Sequence, residues 1–347
     1  MSSLFRDDID TPHITTLDGL RHSLSTSIVK PALPTVDEYR NLTPFARTQF
    51  DEARARYSTG GFRVKTPLGE ETVKLFRQTL RANLYAPNRT GLMIDGAGHM
   101  GKTTLCQYLM DWTYRKYISD FPNSAEDGTV PIVYVEARPR SNGKSLMRAL
   151  CDFFGRPVPN RYNTDQLTAE VIDLLRKAKT QLVVIDEFQN IAAKNPGNGE
   201  TVDYIKELTN EVKATFIISG IHVLRSEILA GARGNQLSSR FIRQEITPYT
   251  LANEDEKLRW QQLLLGFERE LPLLAQKPKS ILAHADELHR ATKGSIGALS
   301  KLLARTTVDL IYDAEPDAEL FTKGMFLGQR RDVTSESINY LGGTHAA

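Results

Sequence analysis

Thr90-Gly91-Leu92-Met93-Ile94-Asp95-Gly96-Ala97-Gly98-His99-Met100-Gly101-Lys102-Thr103-Thr104-Leu105-Cys106-Gln107-Tyr108 is the stretch from which the rest of the chain can be placed. Its apolar opening, Gly91 to Ile94, reads as a buried strand, and its end reads as an apolar-periodic helix. Between them, Gly96 to Thr103 fits G-x-x-x-x-G-K-[ST], a loop whose backbone amides cradle phosphates. Gly96 and Gly101 would let the backbone turn tightly, and the helix start would add partial positive charge beneath the phosphates. Lys102 would reach the β- and γ-phosphates, and the Thr103 hydroxyl would hold Mg²⁺. A chance match in a chain of this length is expected roughly 1% of the time, and the strand and helix on either side lower that further. The candidate nucleotide-binding residues are therefore Gly96, Ala97, Gly98, His99, Met100, Gly101, Lys102, Thr103 and Thr104.

A second acidic motif completes the chemistry. Leu182-Val183-Val184-Ile185 is an apolar strand that delivers Asp186 and Glu187. Asp186 would join Thr103 at the Mg²⁺ ion, and Glu187 would orient the attacking water as general base. Adjacent Asp-Glu favours hydrolysis over a small-molecule kinase role, and no LSGGQ-like stretch of a transporter ATPase is present. Thr215 to Gly220 is a further strand ending in Ser219, placed to sense the γ-phosphate. Arg240, with Arg243 as second choice, precedes the last strand; such an arginine would act in a neighbouring subunit's site, which requires an oligomer.

These motifs sit in a regular alternation. Strands are expected at 91–95, 130–136, 182–186, 214–219 and 243–247, with helices at 102–118, 143–154, 165–179, 200–212 and 221–230. That pattern predicts an α/β fold, a parallel sheet flanked by helices. From about residue 251 it becomes all-helical, with helices at 254–269, 279–292 and 296–313. The expected organisation is an N-terminal arm over 1–61, an α/β core over 62–250, a helical lid over 251–313 and a polar tail over 314–347. In the arm, Thr43-Pro44 opens a helix running to about Tyr57.

Composition excludes more than it specifies. With 44 basic and 42 acidic residues the net charge is only +2, so a nucleic-acid surface would have to be local. The two cysteines form no metal or redox pattern, and nothing approaches a signal peptide or membrane span, which leads to the expectation of a reduced, cytoplasmic protein.

The order of phosphate loop, intervening strand, Asp-Glu, polar strand end, arginine and helical lid resembles an AAA+ P-loop ATPase over about residues 62–313. Asp186-Glu187-Phe188-Gln189-Asn190, a DE-x-x-N form, and Gly294-Ser295-Ile296-Gly297-Ala298-Leu299, a G-x-I-G-x-L form, are similar to the TniB/TnsC family. Members of that family regulate target selection in transposition, including that of CRISPR-associated transposons. The resemblance implies ATP and Mg²⁺ as ligands. It implies a homo-oligomeric ring or filament on double-stranded DNA, and a transposase and a TniQ-type targeting protein as partners, with no membrane. DNA contacts would come from two basic loops, through Arg138, Arg140, Asn142 and Lys144 in one and Arg156 and Arg161 in the other. One departure stands out: the position of the usual lid arginine falls on Gly297, so that either Lys293 or Lys301 substitutes or the contact is absent, and slow hydrolysis is expected. Two other readings share the core, a protein-remodelling switch that does not touch DNA and an initiator or helicase-loader type of ATPase.

Overall fold

The computed structural model describes residues 12–26, 28–61, 64–124, 127–191, 198–223, 229 and 231–324. Three helices come first: α1 (Leu17–Ser25), α2 (Val36–Arg40) and α3 (Pro44–Arg56). Their starts are written in the sequence. Thr35 and Glu38 cap α2 reciprocally, and Thr43 caps α3 with Pro44 at its first position. Then follow α4 (Pro67–Asn83), β1 (Gly91–Gly96), α5 (Lys102–Asp120), β2 (Ile132–Glu136), α6 (Gly143–Phe153), α7 (Thr164–Lys177) and β3 (Leu182–Asp186). The chain continues through α8 (Asn198–Glu211), β4 (Thr215–Gly220), α9 (Gly231–Ser238), β5 (Phe241–Ile246), α10 (Glu254–Glu270), α11 (Ala285–Thr292) and α12 (Ile296–Asp313).

By contact density the chain divides into two units, one gathering residues 27–70 with the chain from 248 onward, the other holding 71–247 with the α1 segment. The second unit is built on a five-stranded sheet in the order β2-β3-β4-β1-β5, all pairings parallel. Strands β1, β3 and β4 are buried along their whole length, as an interior sheet covered on both faces requires. The edge strand β5 is buried only at its ends. Because the strands are parallel, the loops after β1, β2, β3 and β4 all emerge at one end of the sheet, where such folds bind ligands.

One expected helix is displaced. Of 221–230, residues 221–223 form a bend, 224–228 and 230 lie outside the described residues, and a helix instead occupies 231–238. The bend has a cause. The Ile221 amide donates to Gln189 Oε1 at 2.8 Å and the Val223 amide to Asp95 Oδ1 at 2.8 Å, so side chains at the strand ends hold donors that would otherwise start a helix.

The other unit has its own apolar core, with Trp260, Leu263, Leu264 and Phe267 of α10 against Leu288 of α11 and Leu299, Leu303, Leu310 and Ile311 of α12. The helix expected from 279 begins at 285, because Glu268 caps the preceding segment, accepting from the amides of Lys279 at 2.6 Å and Ile281 at 2.9 Å. Val64 packs on this core. Phe321 is 2% exposed within it.

α3 brings a buried cation into the same unit. Arg54 is 0% exposed and donates to Asp51 at 2.6 Å, to Glu319 at 2.5 Å and to the Pro272 carbonyl at 3.2 Å. Tyr39 completes the network through a 2.7 Å bond to Asp51. A buried guanidinium needs this degree of pairing to offset its desolvation.

Candidate nucleotide site

The loop between β1 and α5 is shaped for an anion. Gly101 has φ 79° and is the N-cap of α5, with no side chain capping the first-turn amides. His99 also has positive φ, at 60°. Left-handed residues in such a loop turn successive N–H groups into one concavity, which at a helix start is a phosphate cradle. The two motif glycines differ in purpose. Gly101 carries the turn, whereas Gly96 is the last residue of β1, where a Cβ would stand 2.4 Å from the Ile246 carbonyl oxygen. Gly96 is thus required by close strand packing rather than by the turn.

Lys102 folds over this loop, donating to the Gly96 carbonyl at 3.0 Å and the Ala97 carbonyl at 2.6 Å. Burial lowers the pKa of its ammonium, while Glu187, then Asp186 and Asp95, pull it back up. A buried cation facing carboxylates and neutral carbonyls suits a phosphate, which would outcompete the carbonyls through charge-assisted bonds.

Asp186 ends β3 at 1% exposure and organises its surroundings. Its Oδ2 accepts from Thr103 Oγ1 at 2.8 Å and from the Tyr134 hydroxyl at 3.2 Å, and its Oδ1 accepts from the Glu187 amide at 2.9 Å. The Thr103 hydroxyl and the Asp186 carboxylate are hard oxygen donors side by side, the set a magnesium ion takes together with phosphate oxygens. Tyr134, on β2, was not singled out by sequence reasoning; burial and the neighbouring carboxylates raise its pKa, so it stays a neutral donor.

Glu187 has φ 55° and ψ 35°, a left-handed conformation uncommon for a side-chain-bearing residue. Three contacts hold it: the bond from its own amide to Asp186, a 2.8 Å bond from the Asn190 amide to its carbonyl, and a 2.5 Å bond from Gln189 Nε2 to its Oε2. Gln189 is fixed in turn, since its Oε1 accepts from the Ile221 amide. That contact depends on Gly220, where a Cβ would lie 2.4 Å from Gln189 Oε1. Gln189 thus joins the end of β3 to the end of β4 and leaves the other carboxylate oxygen of Glu187 available to a water.

Ser219 lies on β4, between β3 and β1, paired with Ile94. It is 0% exposed, and its hydroxyl has no hydrogen-bond partner beyond the weakly bonding Cys106 thiol beside it. Arg240 sits one residue before β5, its carbonyl accepting from the Gly91 amide at 2.8 Å. Parallel register places it six residues, about 20 Å, from the phosphate-loop end of β1. Its guanidinium donates to Thr209 Oγ1 at 3.1 Å and to Asn210 Oδ1 at the end of α8. Arg243, the alternative, pairs with Asp95 at 3.3 Å and Glu245 at 3.1 Å.

The two basic loops are not one patch. Residues 138–144 and 156–161 flank opposite ends of α6, about 17 Å apart along an eleven-residue helix. Arg138, Arg140, Arg156 and Arg161 are exposed and Lys144 is half-buried, whereas the Asn142 side-chain oxygen caps α6 through the Ser145 amide at 2.9 Å. Only the first loop adjoins the acidic motif. Asn190 Nδ2 donates to the Ala137 carbonyl at 2.9 Å, the Ala137 amide to the Asp186 carbonyl at 2.9 Å, and Ser141 forms a parallel bridge with Ile191.

The family model for the bacterial TniB protein matches residues 65–251, more than half of the 347 residues. The chain belongs to the TniB family. No curated protein matches this TniB chain by sequence. Among solved structures it is similar to the ORC2 protein of Aeropyrum pernix in ADPNP–ADP complexes, with TM-score 0.56 and 16% identity over 78% of this chain and 70% of that one. The ORC1 protein of the same organism in complex with DNA gives 0.54 and 14%, over 82% and 69%. Drosophila ORC bound to DNA gives 0.52 and 13%, over 87% and 69%. At these identities the likeness concerns the fold, which is the AAA+ fold expected from the motif order, and the TniB chain is a P-loop ATPase. Among the described residues no helix is long and apolar enough to cross a membrane.

Proposed function

We propose that this TniB-family ATPase is a DNA-binding regulator of transposition. In this reading, ATP-bound copies assemble head to tail on double-stranded DNA as a ring or helical filament. A TniQ-type targeting protein and a transposase bind the assembly, and target choice is thereby linked to insertion. The observation that carries it is the convergence of Lys102, Thr103, Asp186 and Glu187 at one sheet end, hydrogen-bonded to a loop bearing exposed Arg138 and Arg140, in a chain of this family.

The residues take these roles. The amides of Gly96 to Thr104 and the Lys102 ammonium bind the β- and γ-phosphates. Thr103 and Asp186 are the Mg²⁺ ligands, and the ion supplies charge neutralisation at the phosphates. Glu187, fixed by Gln189, accepts a proton from the water in line with the γ-phosphate. Ser219 senses that phosphate from beneath the first turn of α5. Arg240, too far along the sheet to serve its own phosphate loop, exchanges Asn210 for a neighbouring copy's nucleotide and makes the triphosphate an adhesive between subunits. Arg138, Arg140 and Lys144, with Arg156 and Arg161, meet the DNA backbone, and Asn142 acts there by shaping its loop. With Gly297 where a lid arginine would stand, hydrolysis is slow and serves to dismantle the assembly.

Co-sedimentation with duplex DNA tests the reading. The intact chain should pellet with DNA in the presence of a non-hydrolysable ATP analogue, and Lys102→Ala should not. Pelleting that ignores nucleotide would refute ATP-dependent assembly, and an intact chain that never binds duplex would replace this function with the protein-remodelling one.

A further inference from the structure

At the opposite pole of the sheet from Lys102 lies a half-open cleft of about 860 Å³, between the C-terminal ends of α4 and α5 and the residues that lead into β2, β3 and β4. We propose that this cleft is a docking site for an acidic peptide segment of a partner protein, one that carries a large apolar side chain.

Charge is the first argument. Two of the cleft's cations are already neutralised, Lys116 by Asp120 and Lys179 by Asp127. Its three arginines are not: among the described residues no carboxylate pairs with Arg77, Arg81 or Arg89. Arg77 lies over the Trp112 ring at 5.7 Å, Arg89 donates only to the Lys213 carbonyl, and burial without an anion lowers the Arg89 pKa. Three guanidiniums that line one cleft and are paired with neither of its two acids suit carboxylates or phosphates. A second, independent observation is Ser124, which lines the cleft at 4% exposure with its hydroxyl oxygen buried and unpartnered. Such an atom calls for an incoming polar group.

The apolar surface selects between the anions. Leu84 and Phe121 line the cleft at 68% and 57% exposure, large apolar side chains left largely in water beside the arginines. Nucleic acid would need free aromatic faces for its bases. The rings here are engaged: Trp112 has Arg77 on its face and packs edge-on to Phe76 at 6.2 Å, and Tyr117 and Phe121 pack together at 4.9 Å. An extended peptide can place carboxylates on the arginines and a leucine or phenylalanine among the rim side chains.

The test uses the full chain and a fluorescein-labelled dodecapeptide of aspartate and glutamate around one phenylalanine and one leucine, read by fluorescence anisotropy. Binding should saturate with a Kd on the order of tens of micromolar. Arg81→Glu, at an exposed position with no described partner, should weaken it at least tenfold, as should replacing the two apolar residues of the peptide by serine. A peptide with lysine in place of each acid should bind Arg77→Glu/Arg81→Glu better than the parent chain, a rescue that a misfolded variant could not give. Lys102→Ala, at the far pole, should bind the acidic peptide as the parent does. Absence of saturable binding, indifference to Arg81→Glu, or displacement of the peptide by an equal concentration of oligothymidylate would overturn the proposal, the last outcome assigning the cleft to nucleic acid.

Discussion

Truncating Gln189 should slow ATP hydrolysis without weakening nucleotide binding. The side chain contributes a bond to the Glu187 carboxylate at 2.5 Å and accepts one from the Ile221 amide at 2.8 Å. In Gln189→Ala both are lost, and a backbone donor at the β4 end loses its acceptor, which costs about 1–3 kcal/mol of stability. For a unit of this size that is about 2–4 °C in Tm per kcal/mol, small enough to leave the protein folded at 25 °C. The catalytic cost is separate. Glu187 remains, its backbone still bonded to Asp186 and Asn190, but its carboxylate loses the Gln189 contact, and misplacement of a catalytic group by about 1 Å costs on the order of 10²-fold in rate. We expect kcat to fall about 10- to 100-fold with KM for ATP within about twofold, since neither Gln189 nor Ile221 belongs to the phosphate loop. Glu187→Gln, which removes the base itself, should cost about 10²–10⁴-fold. Phosphate-release kinetics with a fluorescent-nucleotide titration measure all of these quantities. A Gln189→Ala chain that hydrolyses ATP at the parent rate would refute the reasoning.

Three further outcomes follow from the same contacts. Removing charge at Arg138, Arg140 and Lys144 together should weaken duplex binding for all sequences and flatten the log–log salt slope by about 2–3, measured by anisotropy across salt concentrations. Arg54→Ala, which strands Asp51 and Glu319 in the interior, should destabilise its unit by about 3–5 kcal/mol in denaturant titrations, whereas Arg40→Ala, at an exposed ion pair, should change little. Burial pushes the Cys151 thiol up to about 11 and raises that of Cys106 as well. At pH 8 the Cys151 thiolate is therefore roughly two orders of magnitude scarcer than for a free cysteine, so iodoacetamide should leave the native chain largely unlabelled and modify both cysteines once it is unfolded.

Much of the site was legible because its chemistry is local. Phosphate loop, strand-borne acids and alternating elements are each written within a few residues, and the parallel order follows from the alternation. What escaped depends on distant residues. Gln189 acquires its role only because Gly220, far along the chain, leaves room for its amide. Tyr134 meets Asp186 because β2 and β3 are neighbours, which no spacing within either strand reveals. Helix periodicity favoured 221–230, but capture of the Ile221 and Val223 amides by Gln189 and Asp95 overrode it. Nothing in the sequence sets Arg54 apart as buried, because of its two acids, Asp51 and Glu319, only the first lies close along the chain.

The stitching between the loop at 137–141 and the segment at 186–191 bears on how such an ATPase would know where it is. Arg138 is the neighbour of the residue whose amide and carbonyl are both committed to the acidic segment. A duplex pressing on that arginine would therefore load the same few bonds that set the posture of Glu187. Touch and turnover would share one lever arm, and no long relay through the protein is required for the nucleotide clock to register its track.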